Sequence, residues 1–101
     1  MIRALCVLLS AIHASALDYS WERLHVVRSP QELRQAVHEY MQEFPCEDCK
    51  EHFTDLVQAH PFPLSEVASV EDARIWTWLT HNMVNRRLEK PWEPFEIMYK
   101  Y

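Results

Sequence analysis

The chain contains no glycine in 101 residues, and that absence removes more structures than any other feature does. Loops of the GxGxxG and GxxxxGK[ST] kind need glycine for close backbone approach to phosphate and for positive φ. A dinucleotide, if one binds, must therefore be held by side chains carried on helices. A chain of this length forms one domain and buries about two-thirds of the surface its unfolded form exposes. A cofactor, metal, cross-link or partner would add to its stability.

Fifteen acidic residues against ten basic give a formal charge of −5. The chain lacks the basic excess that nucleic-acid phosphates or an anionic membrane surface would require, and both are set aside as partners. Aromatics make up 12% of the chain and include four Trp, more than a minimal core needs. A flat ligand would account for them, and four buried indoles are the plain alternative.

Residues 1–16 read MIRALCVLLSAIHASA, with a basic Arg3, an apolar run from 4 to 12 and Ala14-Ser15-Ala16 in small-x-small order. This is the layout of a secretory signal peptide cleaved before Leu17, which leaves 17–101 as the domain. The apolar run is too short to cross a bilayer as a helix. The competing assignment makes the same stretch the first helix of the domain.

Further on, Ser29-Pro30-Gln31-Glu32 supplies an N-cap, a proline at the first helical position and a carboxylate three residues after the cap. The pattern predicts a helix over 30–44. Leu33, Val37, Tyr40, Met41 and Phe44 form its apolar stripe, while Arg34, Gln35, His38 and Gln42 face away. Pro45 ends this helix and opens the next, over 46–59, with Phe53, Leu56 and Val57 inward, and Pro61 and Pro63 stop that one. Ser69-Val70-Glu71-Asp72 caps a third, over 70–88, closed by Pro91. Ile75, Trp76, Leu79 and Met83 form its expected core stripe, with Trp78, His81, Asn82 and Asn85 on a neighbouring aromatic and polar face. No strand-type alternation, repeat or low-complexity segment occurs. The fold class expected is an all-α bundle.

The chemistry concentrates in FPCEDCKEHF, residues 44–53. Cys46 and Cys49 at i and i+3 of a helix start lie close enough for a disulfide. The helix N-terminus favours a thiolate, whereas Glu47 and Asp48 oppose one. Zinc is the rival: Cys46, Cys49 and His52 step along one face, and His60, His81, Glu51 or Asp55 would complete a tetrahedral set. Structural zinc sites, however, commonly use two short-spaced pairs, and no second pair follows. An inert disulfide is a third alternative.

FPCEDCKEHF followed some 28 residues later by WTWLTHNMVNRRLEKP resembles the Erv/ALR family of FAD-dependent sulfhydryl oxidases, with its paired PCxxC and HNxVNxxLxKP motifs. The match is nearest to the quiescin-type branch, because His52-Phe53 follow the CxxC and Trp78 stands three residues before His81. The resemblance covers roughly residues 29–91. It implies a four-helix bundle with a short extra helical segment, holding FAD without a glycine-rich loop. It implies that Cys46 meets the substrate thiol and that Cys49 lies against the flavin. It also implies FAD contacts from Asp48, His52, Trp78, His81, Asn82, Val84, Asn85 and Lys90. The activity implied is disulfide formation with reduction of O2 to H2O2. The thiols would come from a thioredoxin-fold partner or a client protein, since the chain lacks a shuttle CxxC and Cys6 is its only other cysteine. An oxidising compartment such as the secretory lumen suits this chemistry. Relatives of this kind are often homodimers.

The first helix departs from the family pattern, which places a Trp and, four residues on, a His against the flavin nucleotide. Trp21 and His25 have the spacing, but His25 lies only four residues before Ser29, about 14 Å of extended chain. The helix after Ser29 carries Cys46 roughly 26 Å away. By that measure His13 is better placed, although it lacks the Trp and would leave with a signal peptide. Two further functional alternatives stay open: a zinc-stabilised helical binding module, and a flavin-free bundle acting as an interaction protein.

Overall fold

The computed structural model describes residues 19–100. Among them are four α-helices and no strand: α1 (Trp21–His25), α2 (Pro30–Glu43), α3 (Glu47–Gln58) and α4 (Val70–Arg87). Short 3-10 turns follow at Leu64–Glu66 and Phe95–Tyr99. The expected leader, Cys6 and His13 lie outside the described residues.

The two long helices begin by the same device. Ser29 Oγ accepts from Glu32 N–H at 3.0 Å and Ser69 Oγ from Asp72 N–H at 3.0 Å. The acidic partner reaches back in both, Glu32 to Arg28 N–H at 2.9 Å and Asp72 to Ala68 N–H at 3.0 Å. These return bonds go to the residue before the cap, one position beyond the usual capping box. The serine bonds satisfy donors that the first turn leaves open, and the return bonds satisfy an amide just outside the helix.

The C-terminus of α4 closes by a Schellman motif in which Lys90 N–H bonds Asn85 C=O at 2.7 Å and Glu89 N–H bonds Arg86 C=O at 3.1 Å. That motif needs a left-handed residue, and Glu89 takes it at φ 59. Glycine would occupy this position without the steric cost that a β-carbon carries.

The core is built from Leu24 and Val27, from Leu33, Ala36, Val37 and Tyr40 of α2, and from Phe53, Val67, Ala73 and Trp76. Trp76 is fully buried and stacks on His60, with ring centroids 4.8 Å apart. The expected stripe of α4 needs correction here. Its fully buried residues are Ala73, Trp76, Thr77, Thr80 and Asn82, whereas Ile75, Leu79 and Met83 are only half-buried. Two threonines can face the core because Thr77 Oγ1 donates to Leu24 C=O and Thr80 Oγ1 to Trp76 C=O. A hydroxyl with an acceptor removes most of the burial penalty that hydropathy assigns to it. Arg34, expected to face away, instead donates to Leu64 and Val67 carbonyls and ties the 3-10 turn to α2.

Candidate functional site

Pro45 breaks the chain between α2 and α3, so Cys46 becomes the N-cap of α3 and Cys49 sits in its first turn. Cys49 N–H donates to Cys46 Sγ at 3.4 Å. A sulfur at an N-cap accepts hydrogen bonds from amides that have no helical partner, which favours its charged form. The Cys46 thiol is accordingly lowered, first by the Cys49 side chain and then by the Cys49 backbone, while the Asp48 carboxylate works against the shift. The hydrogen bonds from Cys49 thus outweigh burial and the Asp48 carboxylate, and the Cys46 thiol lies below its ordinary range.

Beside the cysteines a cavity of about 300 Å³ opens between the four helices. Its wall is formed by Tyr19, Trp21 and Leu24, by Tyr40 and Phe44, by Cys49, His52, Phe53 and Leu56, and by Val84, Arg87 and Leu88. The aromatic wall is ordered by its own contacts: Tyr19 lies over Phe44 at 5.5 Å and edge-on to Tyr40 at 5.1 Å. Tyr40 in turn donates its hydroxyl to Ser20 C=O at 2.8 Å. Cys49, not Cys46, faces the cavity; Cys46 stands beside it, half-buried.

Behind the cavity wall Trp21 stacks on His81, with centroids 4.2 Å apart and planes 8° from parallel. His25 Nε2 lies 3.3 Å from His81 Nδ1. Burial is the main cause that lowers both histidines, His25 to about 4, and their mutual repulsion adds to it at His25. The pair is therefore neutral near pH 7, and one ring donates to the other.

Trp21 and His25 part company at the cavity: Trp21 lines it, whereas His25 does not and meets His81 behind it. Residues 26–29 run outside any helix and α1 packs against α4 as well as α2. Non-helical residues advance about twice as far per residue as helical ones, so residues 26–29 together with α1 carry the chain back from Ser29 to Tyr19, whose ring stacks on Phe44 at 5.5 Å. Trp21 thus lines the cavity that Cys49 also lines.

The residues singled out in the sequence divide into three places. Cys49, His52 and Val84 line the cavity and His81 backs it. Asp48 and Lys90 are exposed on its outside. Trp78, Asn82 and Asn85 turn to the other side of α4 and hold the C-terminal segment. Trp78 Nε1 donates to Glu93 C=O at 3.0 Å, and Asn82 both donates to that carbonyl and accepts from Glu93 N–H at 2.6 Å. Asn85 donates to Pro91 C=O at 3.2 Å. Two buried amides are thereby satisfied by main chain.

Tyr19, Tyr40, Phe44, Leu56, Arg87 and Leu88 were not singled out from the sequence. Tyr40 and Phe44 belong to the expected core stripe of α2 and Leu56 to the expected inward face of α3, and the i, i+4 spacing of Tyr40 and Phe44 next to the CxxC is the signal the sequence offers. Among the described residues no three His, Cys, Asp or Glu side chains converge on a metal-sized centre. Of the fourth ligands that a zinc site would need, His60 is engaged with Thr80 Oγ1 and Phe62 N–H and His81 with His25 and Trp21, while Glu51 and Asp55 are exposed and do not converge on such a centre.

An apolar cavity of this volume lies at the lower end of small-molecule sites, and its flat aromatic walls fit a planar ring system. The sulfur of Cys49 in the wall gives that ring a redox neighbour. The absence of a phosphate loop places any phosphates at the rim, where Arg87 supplies a guanidinium. The residues present fit a flavin dinucleotide.

Comparison with known proteins points the same way. The family model of the Erv1 / Alr family matches residues 7–100. The chain is 35% identical over 86 residues to Sulfhydryl oxidase 1 of Rattus norvegicus, covering 84% of this chain and 11% of that protein. It is 37% identical over 60 residues to Sulfhydryl oxidase 2 of Mus musculus, covering 58% and 8%. It is 38% identical over 48 residues to FAD-linked sulfhydryl oxidase ERV1 of Oryza sativa subsp. japonica, covering 48% and 23%. The chain thus spans about a tenth of the first relatives it matches. No solved structure matches it.

Proposed function

The chain belongs to the Erv1 / Alr family, and from that membership we propose that it is a FAD-linked thiol oxidase that makes disulfides at the expense of O2. The observation that carries the proposal is the placement of the CxxC. Cys46 is a half-buried N-cap with a lowered thiol, and Cys49, one turn on, opens on an aromatic cavity.

A substrate thiolate attacks Cys46 Sγ of the oxidised pair, the Cys46–Cys49 bond breaks, and Cys49 leaves as a thiolate. The second substrate thiolate then displaces Cys46, which releases the substrate disulfide and leaves both cysteines reduced. A low-pKa sulfur is the better leaving group in such exchange, so the N-cap position of Cys46 speeds product release. FAD, when bound, accepts the electron pair from the cysteines and delivers it to O2, giving H2O2 while the pair returns to the disulfide.

Trp21, Tyr40 and Phe44 would hold the planar part of the cofactor, with Val84 opposite and His52 and Arg87 at the polar edge. His81, fixed by Trp21 and His25, backs this wall. Asp48 and Lys90 would act at the rim, and Trp78, Asn82 and Asn85 through the C-terminal segment they hold. Substrates in this reading are dithiols of a thioredoxin-fold partner or client protein in an oxidising compartment.

The test is to purify the protein, denature it and assay the supernatant for released flavin, then measure thiol-dependent O2 uptake. One FAD per chain and H2O2 equal to thiol pairs consumed are expected. Colourless protein that takes up no O2 with dithiothreitol after addition of FAD would sink the proposal.

A further inference from the structure

Resting on the oxidase reading, we propose that Arg74 of α4 is a positioning residue for the flavin wall: through the His25 carbonyl it fixes the end of α1, and with it the Trp21–His81 stack. α1 is five residues long, far below the length at which a helix persists unaided in water. Yet Trp21 and Leu24 of this helix line the cavity, and its last residue, His25, meets His81 behind it. Contacts from outside α1 must set its position.

At the start of α1, Ser20 Oγ accepts from Arg23 N–H at 3.2 Å. At its end the last carbonyls have no helical partner. A left-handed residue commonly returns an amide to such carbonyls, but among the described residues only Glu89 is left-handed, and it closes α4. Side chains of α4 take the carbonyls of α1 instead. Arg74 Nη1 donates to His25 C=O at 2.7 Å and Thr77 Oγ1 to Leu24 C=O at 3.4 Å. His81, two turns beyond Arg74 and so on the same face of α4, meets the His25 ring at 3.3 Å and stacks on Trp21 at 4.2 Å. One ridge of α4 thus grips α1 by its main chain and by its rings.

Of the two carbonyl bonds, the one from Arg74 is the shorter and is charge-assisted, the stronger kind. Its guanidinium is half-buried, and among the described residues it has no ion-pair partner. A cation drawn into the protein without a carboxylate is unfavourable unless hydrogen bonds hold it, and the His25 carbonyl supplies one. The same placement sets its charge near the His25 ring. His25 is lowered to about 4 by burial first, then by repulsion from His81 and Arg74. These two groups act on it from α4, while towards α2 Arg23 pairs with Glu39. Arg74 therefore helps to keep His25 neutral, the form in which it shares a hydrogen bond with His81.

The experiment measures the FAD affinity of the full chain by fluorescence titration. Arg74→Met keeps the stem and loses the donor, and should bind FAD about tenfold more weakly or worse. Arg74→Lys keeps a charged donor and should stay within about threefold of the unmodified protein. Arg34→Met is the control: Arg34 also donates to main-chain carbonyls, those of Leu64 and Val67, and none of the three lines the cavity. It should melt at a lower temperature and hold FAD as the unmodified protein does. A readout independent of flavin is the titration of His25 itself, followed by NMR of its ring protons. Arg74→Gln keeps a donor and removes the charge, so the His25 midpoint should rise from about 4, whereas Arg74→Lys should leave it in place. Where Arg74→Met fails to fold, Arg74→Gln supplies both readings. FAD affinity unchanged in Arg74→Met, or lowered equally in Arg34→Met, overturns the role of Arg74, and so does an unmoved His25 midpoint in Arg74→Gln. Failure of the unmodified protein to bind FAD overturns the oxidase reading instead, and this inference with it.

Discussion

Glu89 at φ 59 is one residue doing what glycine does elsewhere. Its left-handed conformation costs on the order of 1 kcal/mol, and the Schellman bonds of Lys90 and Glu89 offset it. Glu89→Gly should raise stability by about 0.5 kcal/mol in urea unfolding, the relief of strain being partly cancelled by the looser unfolded chain. Cys46 supplies a second prediction at this scale. In the reduced protein its alkylation by iodoacetamide should have a pH midpoint below the usual ~8.5 of a free thiol, because Cys49 donates to its sulfur. Asp48→Asn should move that midpoint lower still, since the carboxylate holds it up; an upward move would contradict the assignment. Cys49→Ser is expected to abolish thiol-dependent O2 uptake while bound flavin is retained.

Among the elements, α2 and α4 were legible because their start signals are local: a serine cap and a carboxylate three residues on specify both beginnings within one turn. The inward face of α4 was not, because it depends on contacts far along the chain. Thr77 is buried by virtue of the Leu24 carbonyl, 53 residues away, and hydropathy has no access to that partner. The site was legible in the same uneven way. The CxxC and His81 stand out as residue types, whereas Tyr19, Tyr40 and Phe44 look like core until the extended stretch before α2 brings Tyr19 alongside Phe44. The C-terminal segment gives this scale its prediction. Asn82→Ala removes two hydrogen bonds and leaves Glu93 N–H without its acceptor, which should cost about 2 kcal/mol. Hydrogen exchange should rise over residues 91–98 and remain near wild type in α2.

For the whole molecule, acid is the telling condition. His25, His60 and His81 are all held below their ordinary pKa, burial being the largest cause in each. His60 is enclosed with its ring nitrogens on Thr80 Oγ1 and Phe62 N–H, and burial holds it neutral. Below about pH 6.5 the unfolded chain takes up protons that the folded one refuses, so stability rises with pH through this range. The contribution of His25 is complete above pH 6.5, falls as pH drops towards about 4, and is then constant. Thermal melts of the protein should therefore decline from pH 7 to pH 4. His25→Gln should flatten part of that decline. Flavin acts on the same equilibrium: at one hundred times its dissociation constant, a ligand bound only by the native state adds about 2.7 kcal/mol.

Glu93 is held by its backbone on both sides, N–H to Asn82 Oδ1 and C=O to Asn82 Nδ2 and Trp78 Nε1. A grip on the main chain is indifferent to the side chain at 93, with proline as the one exception because it has no N–H to offer. Saturation libraries at the two ends of this contact should therefore look unlike each other: nearly flat at 93 with a single hole, and nearly empty at 82.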